Sequence, residues 1–308
     1  MFSIKSPEKF SYKHIPSLLA DTSKAWFADD PWRLSAVIAY YALLSLPALL
    51  IIVINIVGSL WGVDIVAGRL THEIAMVMGR EAADTIQTMM IETQDKERNL
   101  ISTLIGIATL IFGSTGVFYH LQISLNEIWQ ITPNPKSEIW KIITDRARSF
   151  AFILVIGFLL LMSFTVTAGI SALQDYLRRI LPDIVVYIAY VIDFVISIGI
   201  TTVLFALIFK YLPDAHIRWK TVWIGAILTA SLFAFGKFLL AYYFGEADPG
   251  STYGAAGTIV LILLWVSYSC LILFFGAEFT WVFAKKYGLD IIPNSFSDID
   301  NEERKGDH

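Results

Sequence analysis

The chain has 308 residues, is 56% hydrophobic and carries charge on only 16% of them, against roughly 25% in soluble domains. Its net charge of −4 says little about partners, because opposite charges are segregated by loop, but the lack of a basic stretch interleaved with aromatics leaves no nucleic-acid-binding footprint. A single cysteine, Cys270, excludes an intramolecular disulfide framework.

Six long apolar runs explain that composition, at roughly residues 34–61, 100–118, 149–171, 184–209, 222–244 and 255–283. Each is long enough for a helix to cross about 30 Å of hydrocarbon. None carries the charged, strongly polar face that a soluble surface helix shows every third or fourth position. The expected fold is all-α: a polytopic membrane bundle of six transmembrane helices with amphipathic helices at its interfaces. The first run is too long for the core of a signal peptide and lacks a small-residue cleavage site, so it reads as a span.

Positive charge orients the bundle. Sixteen Lys and Arg lie in the N-terminal segment, the connections between runs two and three and between runs four and five, and the tail. Six lie in the alternate connections, and Lys237 lies within a run. The positive-inside rule then places both termini in the cytoplasm.

In chain order, residues 1–31 form a cytoplasmic segment. Within it Leu18, Leu19, Trp26 and Phe27 fall near helical spacing beside lysines, which predicts a helix on the inner leaflet. Asp30-Pro31 is a helix-start signal, with Asp as N-cap and Pro at the first position. The membrane domain covers 32–286, and Pro47 kinks its first span. Residues 63–99 form an external helical hairpin with an apolar stripe at Val66, Leu70, Ile74, Val77 and Met78 and an acidic face at Glu73, Glu81, Asp84 and Glu92. That hairpin either packs on the bundle or docks a partner.

Residues 119–131 repeat Leu121, Leu125, Ile128 and Trp129 on one face, with His120, Gln122, Asn126 and Glu127 on others. This predicts a cytoplasmic interfacial helix ended by Pro133 and Pro135. A glycine-rich external loop at 245–257 precedes the last span. The tail, 287–308, is polar and acidic and reads as disordered.

Two formal charges fall inside runs, Asp193 in the fourth and Lys237 in the fifth. Facing lipid, each costs about 2.5–3.5 kcal/mol on insertion scales, so both are expected to face the bundle interior. Ala189, Asp193, Ser197 and Thr201 recur every fourth residue, as do Ala226, Ala230 and Ala234, whose face Lys237 continues. Small residues and hydroxyls of this kind line close helix contacts. The Asp193–Lys237 pair is either a structural ion pair or part of a substrate or proton path, with Ser197, Thr201, Asn126 and Glu278 as further candidates.

Catalytic chemistry has little to work with. None of the five histidines lies deep in a run, His72-Glu73 lacks the second His of a zinc-protease motif, and no acidic cluster has two-metal spacing. The sequence therefore implies neither an enzyme, a metal site nor a cofactor.

Three segments resemble the YihY/BrkB family of bacterial inner-membrane proteins. They are Ser35-Ala36-Val37-Ile38-Ala39-Tyr40-Tyr41-Ala42-Leu43-Leu44-Ser45-Leu46-Pro47, Leu121-Gln122-Ile123-Ser124-Leu125-Asn126-Glu127-Ile128-Trp129, and the stretch from Tyr253-Gly254-Ala255-Ala256-Gly257 through Trp265 to Gly276-Ala277-Glu278. The family usually has Ala where Ser124 stands. The resemblance spans about 32–285 and implies a six-helix inner-membrane protein. Some members have carried a ribonuclease BN label, which the missing acid–base and metal constellation contradicts. Others are linked to envelope lipid or lipopolysaccharide export. The leading expectation is a transporter-like protein that moves a lipid or amphiphile for envelope biogenesis, with membrane lipids as its partners. The alternative is a non-transporting scaffold whose external hairpin docks a periplasmic envelope-assembly partner. Nothing in the pattern fixes an oligomeric state.

Overall fold

A computed structural model describes residues 12–45, 62, scattered positions between 67 and 91, and residues 116–133, 183–247, 256–289, 291–293 and 297–299. The described chain is mostly helical. After a 3₁₀ turn at Tyr12–His14 come α1 (Ile15–Ala28), α2 (31–45) and α3 (116–128). The later helices are α4 (Asp183–Tyr211), α5 (Trp219–Ala247) and α6 (Gly257–Tyr287). Among the described residues three helical stretches are long and apolar enough to cross a membrane: Phe194–Tyr211, Trp219–Phe244 and Gly257–Tyr287. They coincide with apolar runs four to six. Run three lies outside the described residues, as do most of runs one and two and Pro47.

Close contact between α5 and α6 rests on two glycine–threonine pairs. A Cβ placed on Gly225 would overlap the Thr280 side chain, and one on Gly276 would overlap Thr229. Each threonine hydroxyl donates back to the facing glycine of its own helix, Thr229 to the Gly225 carbonyl and Thr280 to the Gly276 carbonyl, both at 2.7 Å. The hydroxyls are thereby satisfied within their own helices, and the threonine side chains fill the space the glycines leave. Ala226 and Ala230 are fully buried in the same seam.

α1 runs antiparallel to the end of α6. His14 Nδ1 lies 3.0 Å from the Tyr287 hydroxyl, Lys286 Nζ donates to Ser17 Oγ at 2.9 Å, and Trp26 stacks edge-on against Phe275 with ring centroids 6.0 Å apart. Leu18 packs with Phe279, Phe283 and Tyr287. The four apolar residues read from the sequence therefore divide: Leu18 is buried and Trp26 half-buried, while Leu19 and Phe27 are exposed. Helical spacing alone cannot separate these two flanks; contact with α6 does.

The turn from α1 to α2 passes through Asp30 in the left-handed region (φ 48°), a conformation aspartate tolerates better than most residues. The backbone carbonyl of Asp30 accepts the first α2 bond, from Arg33 N at 3.1 Å, so α2 starts at Pro31 as the sequence indicates. At its other end α6 stops on Gly288 (φ 63°), whose left-handed cap lets Leu289 N–H reach the Ala284 carbonyl at 2.9 Å.

Two sequence expectations need correction. The first concerns α3, expected to bury one apolar face with its polar residues on others. Gln122, Ser124 and Asn126 are buried alongside Leu121, Leu125, Ile128 and Trp129, while Tyr119, Ile123 and Glu127 form its exposed stripe. Its polar residues can be buried because the α4–α5 turn supplies partners. The helix ends on left-handed Gln130 (φ 54°), and Pro133 belongs to a strand.

The second concerns the tail, read as disordered. Strand β1 (Ile131–Pro133) pairs antiparallel with β4 (Ser297–Ile299), and β2 (Ala215–His216) pairs with β3 (Ile292–Pro293). Both tail strands attach to loops far away in sequence. The backbone bonds they supply do not depend on side-chain polarity, so a polar, acidic composition leaves them open.

In the segment between the first two apolar runs, Ile86 packs with Ala67, Leu70 and Ile74. Ile74 also packs beside Phe244, Leu261 and Ile262. Part of the apolar stripe is thus used against the chain itself; Val66, Val77 and Met78 lie outside the described residues.

Candidate functional site: a carboxyl pair between α1 and α6

Glu278 is 2% exposed on α6, nine residues before the helix end. Asp29 stands just past α1, where its backbone N–H caps the helix by bonding the Ala25 carbonyl at 3.1 Å. The two carboxyl groups border the same cavity and interact there. Burial raises Asp29 above the ordinary carboxylate range, interaction with the Glu278 carboxyl draws it down, and the neighbouring Glu127 carboxylate raises it. Glu127 in turn accepts a 2.6 Å hydrogen bond from Arg33 Nη2 on α2.

The pair lines a cavity of about 420 Å³ between α1, the end of α3 and α6. Asp21, Lys285 and Lys286 also border it, together with Trp281. Three side-chain atoms on the facing helices are buried without a hydrogen-bond partner among the described residues: Thr22 Oγ1 and Trp26 Nε1 on α1, and Glu278 Oε2 on α6. Buried polar atoms are normally paired, which sets these three apart from the rest of the helix contact.

A second polar cluster lies deeper in the core and is fully paired. Asn126 Nδ2 donates to Asp214 Oδ2 at 3.1 Å, Gln122 Nε2 to Asp214 Oδ1 at 3.2 Å, and Asp214 N–H to Asn126 Oδ1 at 2.9 Å. One turn on, Trp129 Nε1 donates to the Ala277 carbonyl at 3.0 Å, beside Glu278 in sequence. This network fixes α3 against the α4–α5 turn and α6 and thereby sets one wall of the cavity.

A profile of the family described as virulence factor BrkB matches residues 23–295, which include both clusters. The chain belongs to the BrkB family. Relatives include the UPF0761 membrane protein of Mannheimia succiniciproducens, 24% identical over 250 residues that cover 80% of this chain and 82% of that protein. One from Alteromonas mediterranea is 22% identical, with 79% of each chain covered. Another, from Verminephrobacter eiseniae, is 26% identical over 58% of this chain, but the match spans only 40% of that relative's length. No solved structure matches.

In this BrkB-family chain the residues singled out from sequence do not converge on one site. Asn126 and Glu278 lie on helices joined by the Trp129–Ala277 bond, but Asn126 is occupied by Asp214. Ser197 is exposed on α4, and Thr201 is half-buried with its hydroxyl donating to the Ser197 carbonyl at 2.9 Å. Asp193 lies on α4, its side chain outside the described set.

Lys237, expected to face inward, is exposed and flanked by exposed Phe235, Phe238 and Leu239. At that height α5 meets α6 through Gly236, against Tyr268 and Ile272. Lys237 sits one residue further on, about 100° around the helix. Sequence reasoning missed Asp29 and Asp214 because both lie in turns, where an aspartate reads as a capping or loop residue.

Proposed function

We propose that this membrane protein moves a lipid or other amphiphile across, or out of, the bacterial inner membrane, through six spans with both termini in the cytoplasm. The observation that carries this reading is the carboxyl-lined cavity at the end of α6, beside exposed aromatic residues. Phe27 is 62% exposed and Trp32 51% exposed, and their rings stack on each other 5.6 Å apart next to Trp26. Tryptophan rings favour the level of lipid headgroups. Behind them a buried Glu278 and a half-buried Asp29 can receive a polar headgroup while the chains stay in hydrocarbon.

The test is headgroup translocation by purified protein in liposomes, followed with fluorescent or dithionite-accessible lipids of several classes. Movement well above empty liposomes supports the reading. No movement for any class, with protein shown to be folded and inserted, overturns it.

A further inference from the structure

The cavity has a polarity as well as a charge. At about 1.5 Å per residue, the 31 residues of α6 span about 46 Å, more than the roughly 30 Å of hydrocarbon they need to cross. Its last few residues therefore reach the headgroup layer, which places Lys285 and Lys286 there. Glu278 lies seven residues before Lys285, about 10 Å deeper along the helix axis. The cavity thus offers cations at headgroup level and a carboxyl pair below them. A lysine stem is long enough to lean along this distance.

The deeper end is chemically incomplete. Glu278 is buried, borders the cavity, and its Oε2 has no partner among the described residues. Two carboxyl groups, Asp29 and Glu278, border this end of the cavity, which supplies acceptors and negative charge. A group with several N–H donors and a formal positive charge satisfies both. A primary ammonium does so, whereas a quaternary ammonium brings charge but no donor. At the rim, Lys286 is committed to Ser17 Oγ, while Lys285 is exposed beside the opening. An anion joined to that ammonium by a short carbon linker meets Lys285.

We propose that the cavity binds the headgroup of a primary-amine phospholipid, with the ammonium between Asp29 and Glu278 and the phosphate at Lys285. This rests on the lipid-moving reading above and names its substrate class. A headgroup drawn inward from its usual level leads with its amine, so the arrangement is an entry station on the side where α6 ends. The exposed Phe27 and Trp32 then border the acyl chains.

The experiment uses the full chain in detergent, incubated with phosphatidylethanolamine, phosphatidylcholine, phosphatidylglycerol or soluble phosphoethanolamine, with bound molecules counted by native mass spectrometry. Phosphatidylethanolamine is expected to be retained about tenfold better than phosphatidylcholine, the size of one lost charge-assisted interaction. Glu278→Gln and Asp29→Asn should each abolish this preference, and Lys285→Ala should weaken retention several-fold while leaving the preference for the primary amine.

Equal retention of the two lipids by wild type, or an unchanged preference in both carboxyl variants, overturns the proposal. Binding of phosphoethanolamine as tight as that of the lipid overturns its lipid part and leaves a soluble zwitterion as the ligand. Should the carboxyl variants fail to fold, the wild-type comparison and the exposed Lys285→Ala variant still decide. The two readings fail separately. Selective binding without translocation removes the transport reading, and translocation of all lipids without selective binding removes this site.

Discussion

Asn126 and Asp214, 88 residues apart, hold each other by two hydrogen bonds: the Asn126 amide donates to the Asp214 carboxylate, and its carbonyl accepts from the Asp214 backbone N–H. A single side chain thus satisfies both a buried charge and a buried backbone donor at the α4–α5 turn. The same helix face carries Trp129 to α6. The clamp therefore transmits the position of the α4–α5 turn to the wall that holds Glu278.

Asn126→Ala leaves that carboxylate short of a donor and is expected to destabilise the protein by about 3 kcal/mol, since bonds to a charged group contribute about 1.5–3 kcal/mol each. Asp214→Ala should cost a similar amount. The double variant should cost clearly less than the sum, because the two residues serve one network. Unfolding midpoints in detergent for the four proteins check this, and simple additivity would show that the clamp is not a unit.

The α5–α6 crossing gives a second test. Gly225→Ala places a methyl where the Thr280 side chain stands and should destabilise by about 1–3 kcal/mol, the usual penalty of overpacking. Adding Thr280→Ala clears the space and should recover a large part of the loss. Gly276→Ala with Thr229→Ala should behave in the same way, and thermal unfolding midpoints give the comparison.

pH acts through Asp29. Its raised value means the folded protein holds a proton that the unfolded chain releases at its ordinary 3.8. This contribution is fully present below 3.8 and is lost as pH rises through the raised value. The groups around it are Asp21 on α1, Glu127 on α3 with its Arg33 partner on α2, and Glu278 and Lys285 on α6. Docking of α1 should loosen as pH climbs out of the acid range, seen as faster protease cleavage between α1 and α2. Asp29→Asn should flatten that pH dependence; an unchanged slope in this variant would assign it to another group.

Lys237 is exposed and stands outside the cavity, so Lys237→Gln is expected to leave headgroup translocation in liposomes unchanged. A loss of translocation in this folded variant would put the lysine in the path.

The sequence by itself determined the membrane class and the last three spans, because twenty or more consecutive apolar residues admit few other outcomes. It also marked the start of α2 at Pro31 and placed Asn126 and Glu278 among the residues to watch. Those are local signals: run length, a capping pair, a polar residue in an apolar stretch. Only the tertiary structure decided what these residues meet. Glu278 became half of a pair because α1 folds back antiparallel on α6 and sets Asp29 beside it, a contact across some 250 positions of sequence. α3 looked interfacial because its polar faces are visible in the sequence and their partners in a distant turn are not. The same reason hid the tail strands, since backbone pairing leaves no mark on side-chain chemistry.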